Sequence, residues 1–271
     1  MFSICTICFG NYDALASRLL NSLRHFDYVK DIRIGLNAPG EETRQIAHSW
    51  AKRIARTKQR RVFIFEEVDL KNLGKYPLMR QMFRYKPLAP KVMWFDDDSY
   101  LDMKAGIDWW QQVDNASKKV FQVGAIHKIM QRGKQFEAIK AQKWYSGKPV
   151  NSRHRFTFVT GGWWVAKSKL LLDLDYPFVE LYHNGGDSIL GEAVRQQGKA
   201  MAQFKQLQCH CESCNPRGVT ISAPVVHINV GGRKGRRGIG ITGEKYVWSD
   251  GKIDQDLSHQ SFSLRVFSYG P

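Results

Sequence analysis

No stretch of this chain reaches the roughly 18 uninterrupted apolar residues that a membrane-spanning helix needs. The opening MFSICTICFG has neither a basic n-region nor a continuing apolar segment, so a cleaved leader is not expected either. Cysteine is scarce and odd in number: five residues, with Cys5 and Cys8 near the start and Cys209, Cys211 and Cys214 in one cluster. That arrangement excludes a secreted disulfide framework and fits a reducing, cytoplasmic setting. Acidic residues are also short, 25 against 41 basic, which leaves a formal net charge of +16. No internal repeat and no second core are visible.

What is present is enough for one full core: 271 residues, 43% of them apolar, which also excludes a disordered chain. The first hundred residues alternate between two periodicities. FSICTIC, DIRIGL, RVFIFEEV and KVMWF read as strands, and YDALASRLLNSLRHF, EETRQIAHSWAKRIA and YPLMRQMFRY as the helices between them. Such alternation with short connections predicts a parallel sheet covered by helices on both faces. Further on, VFQVGAI reads as a strand, and QRGKQFEAIKAQKWYSGKPVNSRHR as a polar excursion. RFTFVTGGWWVAKSKLLL reads as a strand, a glycine turn and a helix start, and GGDSILGEAVRQQGKAM as a helix closed by Gly198 and followed by the strand KAMAQF. The expected organisation is one α/β catalytic domain over residues 1–207, with an extension over 208–271 packed on it.

Three acidic residues follow the fourth strand, in VMWFDDDSYLD. In a parallel sheet, ligands bind outside the carboxyl ends of the strands, which is where Asp96, Asp97 and Asp98 fall. Alternate residues of a strand share a face, so Asp96 and Asp98 form a D-x-D pair while Asp97 points elsewhere. Paired carboxylates of this kind suit Mg²⁺ or Mn²⁺, ions that complete their shell with water and substrate phosphates. A plainer use of the triplet is an Asp-rich turn that caps the next helix.

In this setting the chain resembles the nucleotide-sugar glycosyltransferases of the GT-A fold, in particular their inverting, family-2-like group, over about residues 2–230. The segments that carry the likeness, in order, are SICTICFGN, NLGKYPLMR, VMWFDDDSYLD, TGGWWVAKSKLL and GGDSILGEAVRQQGKAM. The resemblance implies a Rossmann-like mixed sheet flanked by helices, a nucleotide-sugar donor, with UDP-sugar favoured, and Mn²⁺ or Mg²⁺ held by Asp96, Asp98 and His227. It implies donor contacts at Phe9, Asn37, Lys75, Arg80 and Asp97, and acceptor contacts at Gly161, Gly162, Trp163 and Trp164. It makes Asp187 the general base that deprotonates the acceptor hydroxyl, with inversion as the consequence; an ordinary helix N-cap is the other reading of that residue. Three positions depart from the family's habit. Ile7, Cys8 and Phe9 replace its usual first-loop residues, Asn37 stands where strand 2 usually ends in Asp, and Gly186-Asp187 stands where Glu-Asp is usual.

The acceptor is read from charge and aromatics. Basic residues cluster in KRIARTKQRR, RHR and the glycine-flanked RKGRR, whose Arg233, Lys234, Arg236 and Arg237 form an arm suited to a polyanion. With aromatic residues near the site, these point to DNA, and to a hydroxymethylated pyrimidine base as the hydroxyl acceptor, a phage-type DNA modification. A transferase for cell-envelope glycan or a lipid-linked saccharide is the alternative. An inactive sugar- or nucleic-acid-binding module is a third. Separately, QCHCESCN offers Cys209, His210, Cys211 and Cys214 either as ligands for a structural Zn²⁺ or as simple thiols.

Overall fold

The computed structural model describes residues 1–24, 26, 28–70, 72–102, 109–130, 135–150, 155–178, 181, 185–203, 205–209, 222–227 and 263–271, with the backbone alone at 205–209 and 222–227. The amino-terminal part alternates β1 (Phe2–Phe9), α1 (Asp13–Leu23), β2 (Val29–Asn37), α2 (Glu41–Lys58), β3 (Arg61–Glu67), α3 (Lys75–Arg84) and β4 (Lys91–Asp96). A short β5 (Ser99–Leu101), α4 (Trp109–Lys119), β6 (Gln122–Met130), α5 (Gln135–Lys140), β7 (Arg155–Lys167) and α6 (Ser168–Asp173) follow. The chain continues through α7 (Gly186–Gln196), β8 (Met201–Gln203), β9 (Lys205–Cys209), β10 (Ser222–His227) and β11 (Leu264–Tyr269).

Eight strands form the main sheet in the order β11-β3-β2-β1-β4-β7-β6-β8, and β5-β10-β9 form a small second sheet. The neighbours β3, β2, β1 and β4 are parallel, whereas β7 runs antiparallel to both β4 and β6, and β11 antiparallel to β3. The strands of the first hundred residues are thus parallel, as their alternation predicts, and the whole sheet is mixed, as the resemblance implies. Parallel pairing needs a crossover between strands, and between β6 and β7 the short α5 is the one helix among the described residues.

Two apolar clusters lie on the two faces of the sheet. One gathers α1, α2 and α4 over Ile4, Ile34 and Phe95; the other gathers α3, α5, α6 and α7 over Cys5, Phe63 and Trp94. Because successive strand residues point to opposite faces, Cys5 and Cys8, three apart on β1, fall into different clusters. Their C-x-x-C spacing therefore cannot bring the two thiols to one ligand.

The same alternation corrects the expectation for TGGWW. Its residues lie inside the thirteen-residue strand β7, whose register against β6 shifts there, between Val159 and Trp164. Trp163 consequently enters one core and Trp164 the other, at 0% and 1% exposure. Trp164 stacks on its cross-strand partner Trp94, with ring centroids 6.0 Å apart and planes 15° from parallel. Neither indole has a face left for an acceptor, so both act in packing.

β11 was not foreseen as part of the sheet. LRVFSY pairs with β3, with Val266 opposite Phe65 and Tyr269 opposite Val62. Tyr269 Oη lies 2.7 Å from His48 Nδ1 on α2, and Glu66 on β3 takes His48 and Arg44 from the other side. The strand is thus tied to a helix as well as to its neighbour.

Candidate active site

The carboxyl ends of β1, β2 and β4 lie together, and buried side chains tie their loops. β4 ends at Asp96, and Asp97 and Asp98 turn the chain into β5. Strand alternation therefore stops one residue into the triplet. The Asp97 carboxylate is buried and accepts from the Phe9 backbone N–H at 3.1 Å, fixing the end of β1 to the end of β4. Asp97 and Phe9, read from sequence as donor contacts, thus brace the loop: the carboxylate of the first holds the backbone of the second, and the Phe9 side chain is buried.

Asn37 is likewise engaged within the protein. Its Nδ2 donates to Asn72 Oδ1 at 2.8 Å and its Oδ1 accepts from the Leu73 N–H at 2.8 Å. Asn72 Oδ1 also accepts from the Gly74 N–H. Both ends of the Asn37 amide, which is 2% exposed, therefore shape the approach to α3.

α3 organises the site. Its first residue, Lys75, donates to Asp96 Oδ1 at 2.8 Å, and Trp94 Nε1 donates to the same oxygen at 2.8 Å. Two donors on one oxygen fix the orientation of that carboxylate. Its second residue, the buried Tyr76, donates from its hydroxyl to Asp187 Oδ1 at 3.3 Å. Two turns along, Arg80 and Arg84 clamp Asp175, and Arg80 also donates to the Pro177 carbonyl oxygen. Arg80, read from sequence as a donor contact, therefore braces the segment after α6.

Asp187 is the second residue of α7, and Gly185 is that helix's N-cap. The side chain makes no cap; besides Tyr76 it accepts from the Gly161 backbone N–H. The residue is half-buried. Burial raises its pKa to about 6. The positive charge of Lys75 opposes that rise, Asp96 adds to it, and the bonds from Tyr76 and Gly161 oppose it.

Two glycines leave the space that this arrangement needs. A Cβ at Gly161 would lie 2.7 Å from Asp187 Oδ2 and 3.3 Å from Lys75 Nζ, so β7 passes directly against the carboxylate. Gly162 holds the other flank, where its carbonyl oxygen accepts from Ser99 Oγ at 2.7 Å, just after the acidic triplet. At Gly186 a Cβ would lie 2.2 Å from Tyr76 Cζ. The glutamate that the resemblance leads one to expect at 186 has no room beside that ring.

The carboxylates of Asp96 and Asp98 are hard oxygen donors of the kind Mg²⁺ and Mn²⁺ take. Among the described residues, no group of three or more His, Cys, Asp or Glu side chains is gathered to hold a metal. An ion here would thus lean on the Asp pair and on oxygens of a substrate. For His227 only the backbone is described; β10 places it opposite Ser99, one residue beyond Asp98. Arg233, Lys234, Arg236 and Arg237 of the arm, and His210, Cys211 and Cys214 of the cysteine cluster, lie outside the described residues, while Cys209 is placed by its backbone on β9.

The basic run KRIARTKQRR lies away from the site. α2 begins beside Gly10, whose carbonyl oxygen accepts from the Gly40 N–H and from Thr43 Oγ1. Eighteen helical residues at about 1.5 Å each carry it about 27 Å to the opposite end of the sheet. The exposed Lys52, Arg53, Arg56 and Lys58 are on that far half.

The mixed sheet, with its parallel run β3-β2-β1-β4 and antiparallel β7, is similar in fold to solved structures. A mannosyltransferase of Pyrobaculum calidifontis in complex with GDP-Man and Mn²⁺ superposes with a TM-score of 0.51 and 16% identity, over 82% of this chain and 56% of that one. The chain has the GT-A fold. A second GT-A structure, GalNAc-T7 with UDP, GalNAc and Mn²⁺, superposes with a TM-score of 0.53 and 10% identity, over 83% of this chain and 42% of that one. The chain thus spans about half the length of these two structures. No protein-family model and no curated protein matches it. No helix among the described residues is long and apolar enough to cross a membrane.

Sequence reading placed Asp96, Lys75, Gly161 and Asp187 in one site, and the structure brings these four together. It missed Tyr76, Tyr176 and the reason for Gly186. A buried tyrosine in YPLMRQMFRY looks like any core aromatic; the one available signal was the absence of a side chain at 186.

Proposed function

We propose that the protein is a glycosyltransferase that moves a sugar from a nucleotide-diphosphate donor to an acceptor hydroxyl, with Asp96 and Asp98 on the donor side and Asp187 as general base. One observation carries this: a single helix start, Lys75-Tyr76, joins the carboxylate that ends β4 to a second carboxylate whose pKa is raised to about 6. A group that titrates there is ionised at neutral pH and still basic enough to take a proton. Two neighbouring carboxylates in such different environments suit two different roles.

In the proposed reaction the acceptor oxygen attacks the anomeric carbon, the bond from that carbon to the diphosphate oxygen breaks, and the acceptor proton passes to Asp187. Attack on the side away from the leaving group inverts the anomeric centre. A divalent ion held by Asp96 and Asp98 would supply Lewis-acid charge to the departing diphosphate. Lys75, fixed on Asp96, adds a positive charge on the same side. The two GT-A structures above, each with Mn²⁺ and with GDP-Man or UDP, support the choice of ion and of donor class.

For the acceptor, a hydroxymethylated pyrimidine in DNA rests on the charge of the RKGRR arm. The indoles of Trp163 and Trp164 no longer support it, because both are buried. The test therefore starts with the donor: purified protein, Mn²⁺ and a panel of nucleotide sugars, with release of nucleoside diphosphate as the readout. Release that Asp98→Ala abolishes is expected; no release from any donor, or full release by Asp98→Ala, would refute the proposal. Hydroxymethylated DNA and lipid-linked saccharides are then offered with the active donor, and the product is weighed. A hexose- or pentose-sized gain on the DNA, absent from unmodified DNA, is the expected outcome; a gain on the saccharide alone moves the acceptor to envelope glycan.

A further inference from the structure

Tyr76 and Tyr176 are both buried, at 2% and 1% exposure, with ring centroids 6.3 Å apart. The two rings meet edge to face, and Tyr76 donates to Asp187. A phenol has one proton to give, and Tyr76 gives it to Asp187. Burial, and then the charge of Asp187, holds both phenols well above their usual range, so both keep their protons at any working pH.

The surroundings hold this donor in place. A side chain at 186 would collide with the Tyr76 ring, and Gly186 is what lets the ring lie against the start of α7. Behind Tyr176, the adjoining Asp175 is clamped by Arg80 and Arg84, both on the helix that carries Tyr76. At 3.3 Å the bond to Asp187 is long against the usual 2.7–2.8 Å, so it steers the carboxylate more than it binds it.

We propose that Tyr76, backed by Tyr176, is a positioning residue for Asp187, holding its Oδ1 edge so that Oδ2 stays at the Gly161 side of the site. The catalytic meaning of this rests on Asp187 being the base proposed above, whereas the positioning itself does not. The charged and titratable groups that face Asp187 are Lys75 and Tyr76 from α3, Asp96 from β4 and Tyr176 from the segment after α6, with the Gly161 N–H from β7.

The test needs no substrate. The full chain, labelled with ¹³C at aspartate carboxyls, is titrated by NMR, and Asp187→Asn assigns the resonance. Tyr76→Phe removes a donor that favours the charged form, so the Asp187 midpoint is expected to move upward by about half a unit or more. Tyr176→Phe, which keeps the packed ring and the Tyr76 hydroxyl, is expected to leave it near the parent value. An unmoved midpoint in folded Tyr76→Phe overturns the proposal; should that variant fail to fold, an unmoved midpoint in Tyr176→Leu, which removes the ring that backs Tyr76, does so. In the transfer assay, Tyr76→Phe is expected to lower kcat about tenfold with the donor KM unchanged. If Asp187→Asn still transfers sugar while Tyr76→Phe moves the midpoint, the general-base assignment falls and the positioning stands. The reverse pair of results has the opposite meaning.

Discussion

Replacing Asp187 by asparagine is expected to stabilise the folded protein at neutral pH while it removes transfer activity. An aspartate in the unfolded chain ionises near about 3.9, whereas in the fold it holds its proton to about 6. Between those values the unfolded chain has released a proton that the folded protein keeps. Stability due to this group is therefore full below about pH 4, falls as pH rises through the window, and stays low above about pH 6. At 1.36 kcal/mol per pH unit, that loss is about 3 kcal/mol. Solvent screening of this half-buried residue brings the figure to about 1–2 kcal/mol. Asparagine carries no charge to desolvate, and its amide oxygen still accepts from Tyr76 or Gly161. Urea unfolding of both proteins at pH 4 and pH 7.5 measures the difference: near zero at the lower pH, about 1–2 kcal/mol in favour of the variant at the higher. Transfer should fall by about 10²–10⁴-fold, the usual worth of a general base. A variant less stable than the parent at pH 7.5, or a difference of equal size at both pH values, would refute the raised pKa and the cost assigned to it.

Three further outcomes follow from the placement of single residues. Arg80→Ala should lower stability by about 1–2 kcal/mol, through its lost bonds to Asp175 and the Pro177 carbonyl, and leave the donor KM unchanged; a raised KM would return Arg80 to the donor site. Trp164→Ala should destabilise by about 3–5 kcal/mol in chemical denaturation, and Trp164→Phe should keep transfer, whereas selective loss of acceptor affinity in the folded Phe variant would show that the indole meets the acceptor after all. Gly161→Ala should fold, since its Cβ meets side-chain ends, yet cut kcat about tenfold or more by displacing Asp187 Oδ2; parental kcat would show that the close approach of β7 does not matter.

Much of the fold was legible because its signals are local. The switch between period two and period 3.6 over the first hundred residues marks β1 to β4 and the helices between them, and an apolar strand running into three aspartates marks the ligand end of the sheet. Asp187 could be singled out because GGDSIL resembles the segment in which the family carries its catalytic carboxylate. The sense of β7 was not legible, since a glycine pair reads as a turn until the residues on either side of it are seen to pair with one and the same strand, β6. The roles of Trp163 and Trp164 followed from the same fact: a tryptophan pair on an outer loop offers a stacking surface, and the same pair on a strand covered on both faces divides between two cores.

By itself the sequence determined which elements form, because helix and strand periodicities are set by covalent spacing along the chain, and it supplied the carboxylates whose chemistry points to a donor and an acceptor. Only the tertiary structure decided which groups surround each carboxylate. Tyr76 meets Asp187 across 111 positions of chain, Phe9 meets Asp97 across 88, and Arg80 turns to Asp175 across 95. A pKa, a bond direction and the need for glycine at 186 belong to such meetings, which depend on how helices and strands pack and leave no periodicity in the chain.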